Sequence, residues 1–306
     1  MRYTIYLATF AAFLSLSSWS EPVELVKDGN FEMAPSLKDG PGVENHNNLN
    51  FVWHVPAGKT SIPFWETAGS VHLWNYLPHR RKYVDLNGGK GTISQVLPTE
   101  AGKSYSLWFR YWPNDEGGAG QSMLVKYGGE TRRFPAEGNR SQYIDFKAKG
   151  PTEVTFMSGS KTAKGPILVR VRCDEFNPEA DKIRGAFDSL YKILDRGEKN
   201  EADLPKLLEV LADDFSYKPR EGNALDRAGF EELVRQRQAK KFKVNTAIED
   251  LVPQADGTVL VEIERRQQEP GDYGKLQTSA PHFKQTWVKS GSGWKLKSSE
   301  EIEPKE

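Results

Sequence analysis

The chain of 306 residues holds one cysteine, Cys173, so no disulfide can form within it. Stability must come from packed cores, and a chain of this length can supply two ordinary domains. Net charge is also missing: 42 basic side chains balance 42 acidic ones. That removes any global pull toward nucleic acid or an anionic membrane. Histidine is scarce, with five in all, and His46, His54, His72 and His79 are spaced too widely for a local zinc motif. No glycine-rich loop opens onto a helix; residues 88–91 read as a turn, so neither a phosphate cradle nor an organic cofactor is expected. Beyond residue 20 no apolar run is long enough to span a bilayer.

One apolar run does occur, at the start. Arg2 precedes it, it covers residues 3–16, and Ser17, Ser18, Trp19 and Ser20 follow. This basic, apolar, small-residue order is that of a secretory signal peptide over residues 1–20, cleaved before Glu21. The run falls short of the ~20 residues of a membrane span, and no cysteine precedes the mature start to carry a lipid. A secreted or periplasmic protein is expected.

Residues 21–177 alternate in short apolar and polar runs separated by Gly, Pro and Asn, the texture of an antiparallel sandwich. The spacing predicts strands over 70–74, 82–85, 91–97, 104–111, 122–127, 142–147, 152–158 and 167–173, about the number in a jelly roll. In 104–112, Leu107, Phe109 and Tyr111 share one face; Trp108, Arg110 and Trp112 share the other. The first set is expected in the core with Trp65 and Tyr83, and Cys173 is expected as a buried strand cysteine. The second set faces outward, so Trp74, Tyr76, Trp108, Arg110, Trp112 and Asn114 are the candidate ligand-binding residues. Aromatic platforms beside polar donors suit the CH faces and hydroxyl rims of sugars.

The texture changes at Asn177, a good N-cap, and Pro178, which suits a first helical position. Ile183, Phe187, Leu190, Tyr191 and Leu194 keep helical spacing to a stop at Gly197. A helix carrying Leu204 and Leu207, a short strand over 213–217 and a helix capped by Asp226 come next. Strands are predicted over 242–251, 258–268, 282–290 and 293–301. Helices followed by a meander make residues 178–306 an α+β domain.

Two resemblances sharpen this. LVKDGNFE, PFWETAGSV, VDLNG, GTISQ and TEAGKSYSLWF, in that order, resemble the domain of unknown function 642, or choice-of-anchor C, family. The resemblance implies a galactose-binding-like β-sandwich over 21–177 associated with cell-wall polysaccharide. It also implies a structural calcium, with Glu32 and Asp174 as side-chain ligands joining the first strand to the last. LADDFSYKPREGNALDRAGFEELVRQ with the following meander resembles the SnoaL-like, nuclear transport factor 2-like superfamily, which implies a curved sheet wrapped on helices as a cone. Asp214, Tyr217 and His282 would then be the candidates for a base inside the cone, with Trp287 beside them.

The expectation is an exported glycan-binding sandwich followed by a cone that binds a small apolar ligand or pairs with a second copy. Its rivals are an enzyme acting in the cone and a module for protein–protein contacts.

Overall fold

The computed structural model describes residues 23–35, 42–45, 50–76, 81–87, 91–136, 140–161, 164–195, 203–237, 243–270 and 276–303. The signal-like segment, His46, His79, Gly197 and residues 88–90 lie outside them.

Among the described residues, thirteen strands precede the first α-helix. They are β1 (Val43–Asn45), β2 (Asn50–Val55), β3 (Gly58–Ile62), β4 (Trp65–Ala68), β5 (Val71–Tyr76), β6 (Arg81–Leu86) and β7 (Thr92–Leu97). Then come β8 (Ser104–Trp112), β9 (Ser122–Tyr127), β10 (Glu130–Pro135), β11 (Arg140–Lys147), β12 (Thr152–Ser158) and β13 (Ile167–Glu175). All eight predicted strands are present; β1 to β4 and β10 were not read from the sequence. Dense Gly, Pro and Asn mask β1 to β4, while the mostly exposed β10 lacks apolar alternation.

These strands form two sheets, ordered β1-β2-β5-β6-β13-β8-β11 and β10-β9-β12-β7-β4-β3, around one core. Phe109 packs its ring 5.3 Å from Phe156 and 5.2 Å from Phe134, which belong to the opposite sheet. Trp65 is 1% exposed and donates its indole N–H to the Asp28 carbonyl at 3.2 Å, fixing the first motif beneath the core. Gly29 is required in that motif: a Cβ there would lie 2.0 Å from the Val171 carbonyl oxygen, and Val171 N–H donates to Gly29 O at 2.8 Å. Cys173 is fully buried, and burial pushes its thiol up, so it packs as a small apolar side chain. Tyr83 departs from expectation. It stands half-buried on the outer face, its ring 5.0 Å from Trp112.

The remaining residues give α1 (Pro178–Leu194), α2 (Leu204–Val210), β14 (Leu211–Lys218), β15 (Leu225–Asp226), α3 (Arg227–Arg237) and β16 (Lys243–Pro253). They end with β17 (Val259–Pro270), β18 (Leu276–Ser279), β19 (His282–Ser290) and β20 (Gly293–Ile302). Asn177 caps α1, its Oδ1 accepting from the N–H groups of Glu179 and Ala180. The third sheet runs β15-β14-β20-β19-β17-β16, with β18 also on β17. Val259, Val261 and Ile263 point into a second core, which Ile183, Phe187 and Leu190 of α1 complete.

The period of two that buries Ile263 turns Glu264 to the other face, yet Glu264 is only 1% exposed. The reason is that the outer face of the first sheet lies against it. Arg110 of β8 donates from Nη2 to Glu264 Oε1 at 2.6 Å and from Nη1 to Glu249 Oε1 at 2.8 Å. Glu249 can reach Arg110 because a bulge between Ile248 and Asp250 leaves it outside the β16–β17 register. Tyr143 of β11 also packs against the second core.

Candidate functional site

Where the first sheet meets β16 and the start of α1, a cleft of about 840 Å³ remains. Its floor is set by strand register. Tyr143 of β11, Trp108 of β8 and Arg172 of β13 stand opposite one another in one row. Asp145, Ser106 and Asp174 form the next row. Cross-strand neighbours on one face lie about 4.5–5.5 Å apart, so the two rows make a continuous surface of aromatic and polar groups. Phe176, Ala180 and Arg184 form one wall, and Ile248, Asp250 and Leu251 of β16 form the roof.

Trp108 is 6% exposed, and its indole N–H has no acceptor among the described residues. A buried donor left without a partner costs about 1–3 kcal/mol. Beside it Arg172 is surrounded by three carboxylates: Asp174 at 2.8 Å, Glu24 at 3.2 Å and Asp250 in a close ion pair. Desolvation pushes Asp174 up, opposed by Arg172. Desolvation and then Asp174 also push Glu24 up, although 39% of its side chain is exposed. Arg184 covers the Tyr143 ring at 4.4 Å and donates to Ser106 Oγ at 3.3 Å.

The outward face predicted for β8 exists, but its exposure does not. Trp108 and Arg110 are buried because the third sheet and α1 cover that end of the face, an event of tertiary docking that strand alternation cannot report. Trp112 and Trp74 lie half-buried toward the other end. Trp74 stands opposite Tyr83 with Asp85 nearby, while the Arg110 guanidinium lies 6.0 Å from the Trp112 ring. Tyr76 stands opposite Arg81 in the β5–β6 register. Asn114 is spent on structure: its Nδ2 donates to Asp85 Oδ2 at 2.7 Å and its Oδ1 accepts from Glu116 N–H. Burial pushes Asp85, fully enclosed, up to about 6.

The two expected calcium ligands answer to different neighbours. Asp174 faces Arg172 in the cleft, whereas Glu32 is exposed beside Asp28 and Lys82. Lys82, 6% exposed, donates its ammonium to the carbonyls of Glu32 at 2.7 Å and Ala34 at 2.5 Å, so a cation of the chain itself occupies those oxygens. Among the described residues, one trio has metal-ligand donors within 4.8 Å of one another: Glu249, Glu264 and His282. Arg110 already binds an oxygen of both its carboxylates and supplies the positive charge there.

Among the described residues, the core beneath the third sheet is nearly filled. The cavity lined by Tyr191, Tyr217 and Phe283 is about 20 Å³, room for one water. Trp287 is fully buried, and Gln285 donates to the Tyr191 hydroxyl at 2.6 Å across the interior. Tyr217 therefore borders a space too small for an organic ligand. Asp214 is exposed and lies 3.5 Å from Lys297. His282 does not enter the cone. Alternation with buried Phe283 turns it outward, where Nδ1 meets Glu249 Oε2 at 3.0 Å and Nε2 lies 3.6 Å from Glu264 Oε2. Sequence reasoning missed Tyr143, Arg172, Glu249, Glu264 and Asp250. The alternation of Arg172 with Val171 and Cys173 could have placed it on the floor with Trp108; the β16 residues arrive only through docking.

Residues 24–174 match the family described as Protein of unknown function (DUF642). No curated protein matches the chain. The C-terminal portion is similar to solved NTF2-like structures. A ketosteroid isomerase-like protein from Erwinia carotovora atroseptica is 18% identical over 42% of this chain and 100% of its own, with a TM-score of 0.35. An NTF-2 like protein from Pseudomonas aeruginosa is 18% identical over 40% of this chain and 95% of its own, with a TM-score of 0.32. An NTF2-like protein from Rhodospirillum rubrum is 22% identical over 39% and 95%, with a TM-score of 0.31.

Proposed function

We propose that the protein is an exported carbohydrate-binding protein whose sugar site is the cleft at the edge of the first sheet. The carrying observation is Trp108: a buried indole with an unpartnered N–H, flanked by Tyr143 and Arg172 on the floor of a ligand-sized cleft. A sugar offers a CH face to the aromatic row and ring or hydroxyl oxygens to the indole N–H. Arg172, Asp174 and Ser106 then meet the hydroxyl rim. Export rests on the basic, apolar, small-residue order of residues 1–20.

Retention of the full mature chain on a panel of soluble and insoluble polysaccharides tests this. Retention on one class, lost in Trp108→Phe with folding intact, is the expected result. No retention on any glycan by the folded chain would overturn it, as would retention lost in Trp74→Ala and kept in Trp108→Phe.

A further inference from the structure

The charges around the cleft narrow the ligand class further, and the argument rests on the cleft being the sugar site. Six acidic side chains line it, namely Glu100, Asp174, Glu175, Glu179, Glu249 and Asp250, against the basic Lys103, Arg172 and Arg184. Each of those three cations already faces carboxylates of the chain. Lys103 meets Glu100 at 3.1 Å and Glu175 at 3.6 Å. Arg184 lies 3.5 Å from Asp181 and 3.9 Å from Asp145. Arg172 is shared by Asp174, Glu24 and Asp250. Glu179 is answered by Lys182 and Lys289 and Glu249 by Arg110, so four lining carboxylates face the three engaged cations: no lining cation is left over for an acidic sugar, and a small negative surplus remains.

The surplus has a location. Asp174 gives one oxygen to Arg172, while its buried Oδ1 has no partner among the described residues. In the β8–β13 register it stands opposite Ser106, one row from Trp108. The floor thus presents an aromatic surface, an indole N–H that needs an acceptor and a carboxylate oxygen that needs a donor. We propose that the cleft selects a cationic amino sugar, a glucosamine-type unit whose ammonium meets Asp174 while its oxygens meet Trp108. Charge-assisted hydrogen bonds are roughly twice as strong as neutral ones, so the ammonium is what separates this ligand from its neutral counterpart. A uronic acid would instead bring a carboxylate against Asp174 and Asp250.

Calorimetric titration of the full mature chain with short oligomers of glucosamine, N-acetylglucosamine and galacturonic acid tests the selection. The glucosamine oligomer should bind about tenfold or more tighter than its acetylated form, a preference that weakens with added salt. Asp174→Asn should remove that preference, weakening the glucosamine oligomer more than the acetylated one. Asp250→Asn, which also lowers the surplus charge, provides a second variant if the first fails to fold. Equal or tighter binding of the acetylated or acidic oligomer would overturn the amino-sugar inference and leave the cleft as a sugar site. A preference unchanged in both variants would overturn it too, since the ammonium would then be read elsewhere. No binding of any oligomer by the folded chain would overturn the sugar site itself.

Discussion

The two cavities differ in size by far more than their surroundings suggest. The core beneath the third sheet, where a ligand pocket was expected from the sequence, keeps a cavity of about 20 Å³, while the junction with the first sheet keeps about 840 Å³. Trp287, Phe283, Tyr191 and Gln285 fill the cone with their own contacts. At the junction, the two packed surfaces are joined through charge: Arg110 holds Glu249 and Glu264, and beside that seam the floor residues and the β16 roof enclose the cleft.

Four experiments can break or sharpen that contrast. The seam itself should be the most sensitive. Arg110→Ala strands Glu264, 1% exposed, without its cation and should cost about 3–5 kcal/mol in thermal or denaturant unfolding. An exposed-pair value of about 0–1 kcal/mol would mean the first and third sheets are not joined in this way. Trp287→Ala should cost a similar 3–5 kcal/mol by leaving a void in the cone, with oligosaccharide affinity unchanged. Loss of affinity with stability preserved would put the ligand in the cone.

Asp85, on the same outer face but away from the seam, gives a third contrast through pH. Burial raises its carboxyl from 3.8 to about 6, so the folded state holds the proton more tightly than the unfolded one. Stability from this group is therefore full below pH ~4 and lost as pH rises toward ~6, on the order of 3 kcal/mol in all. Asp85→Asn should flatten the melting temperature across that window, and an unchanged slope would exclude Asp85 as its source. The smallest expected effect is at the floor: Trp108→Phe keeps a ring but loses the N–H and should weaken sugar binding about tenfold, ~1.4 kcal/mol.

Much of the architecture was legible from local pattern. Leu107, Phe109 and Tyr111 are fully buried as their alternation required, β12 and β19 have the predicted bounds, and Asn177 caps α1. Seven strands escaped, β1 to β4, β10, β15 and β18, because Gly-rich, exposed or very short strands carry little periodic signal. The site was legible by halves. Trp108 was singled out from the sequence, and Asp174 was too, although for calcium. What the sequence could not show is which surface would cover them. Glu249 reaches the seam through a bulge, and His282 turns away from the cone because Phe283 takes the inward position. The pairing of Glu249 with Arg110 joins residues 139 positions apart, which no local pattern reports.

The most direct test is the indole N–H region of a ¹⁵N correlation spectrum, which resolves the tryptophans one by one, titrated with the oligosaccharide that binds. A site on the cleft floor requires the Trp108 resonance to shift downfield as its N–H gains an acceptor, with Trp74, Trp112 and Trp287 unmoved. If Trp74 and Trp112 move while Trp108 stays in place, the ligand sits at the other end of the sheet. If Trp287 moves, it sits in the cone. Either result would contradict the cleft.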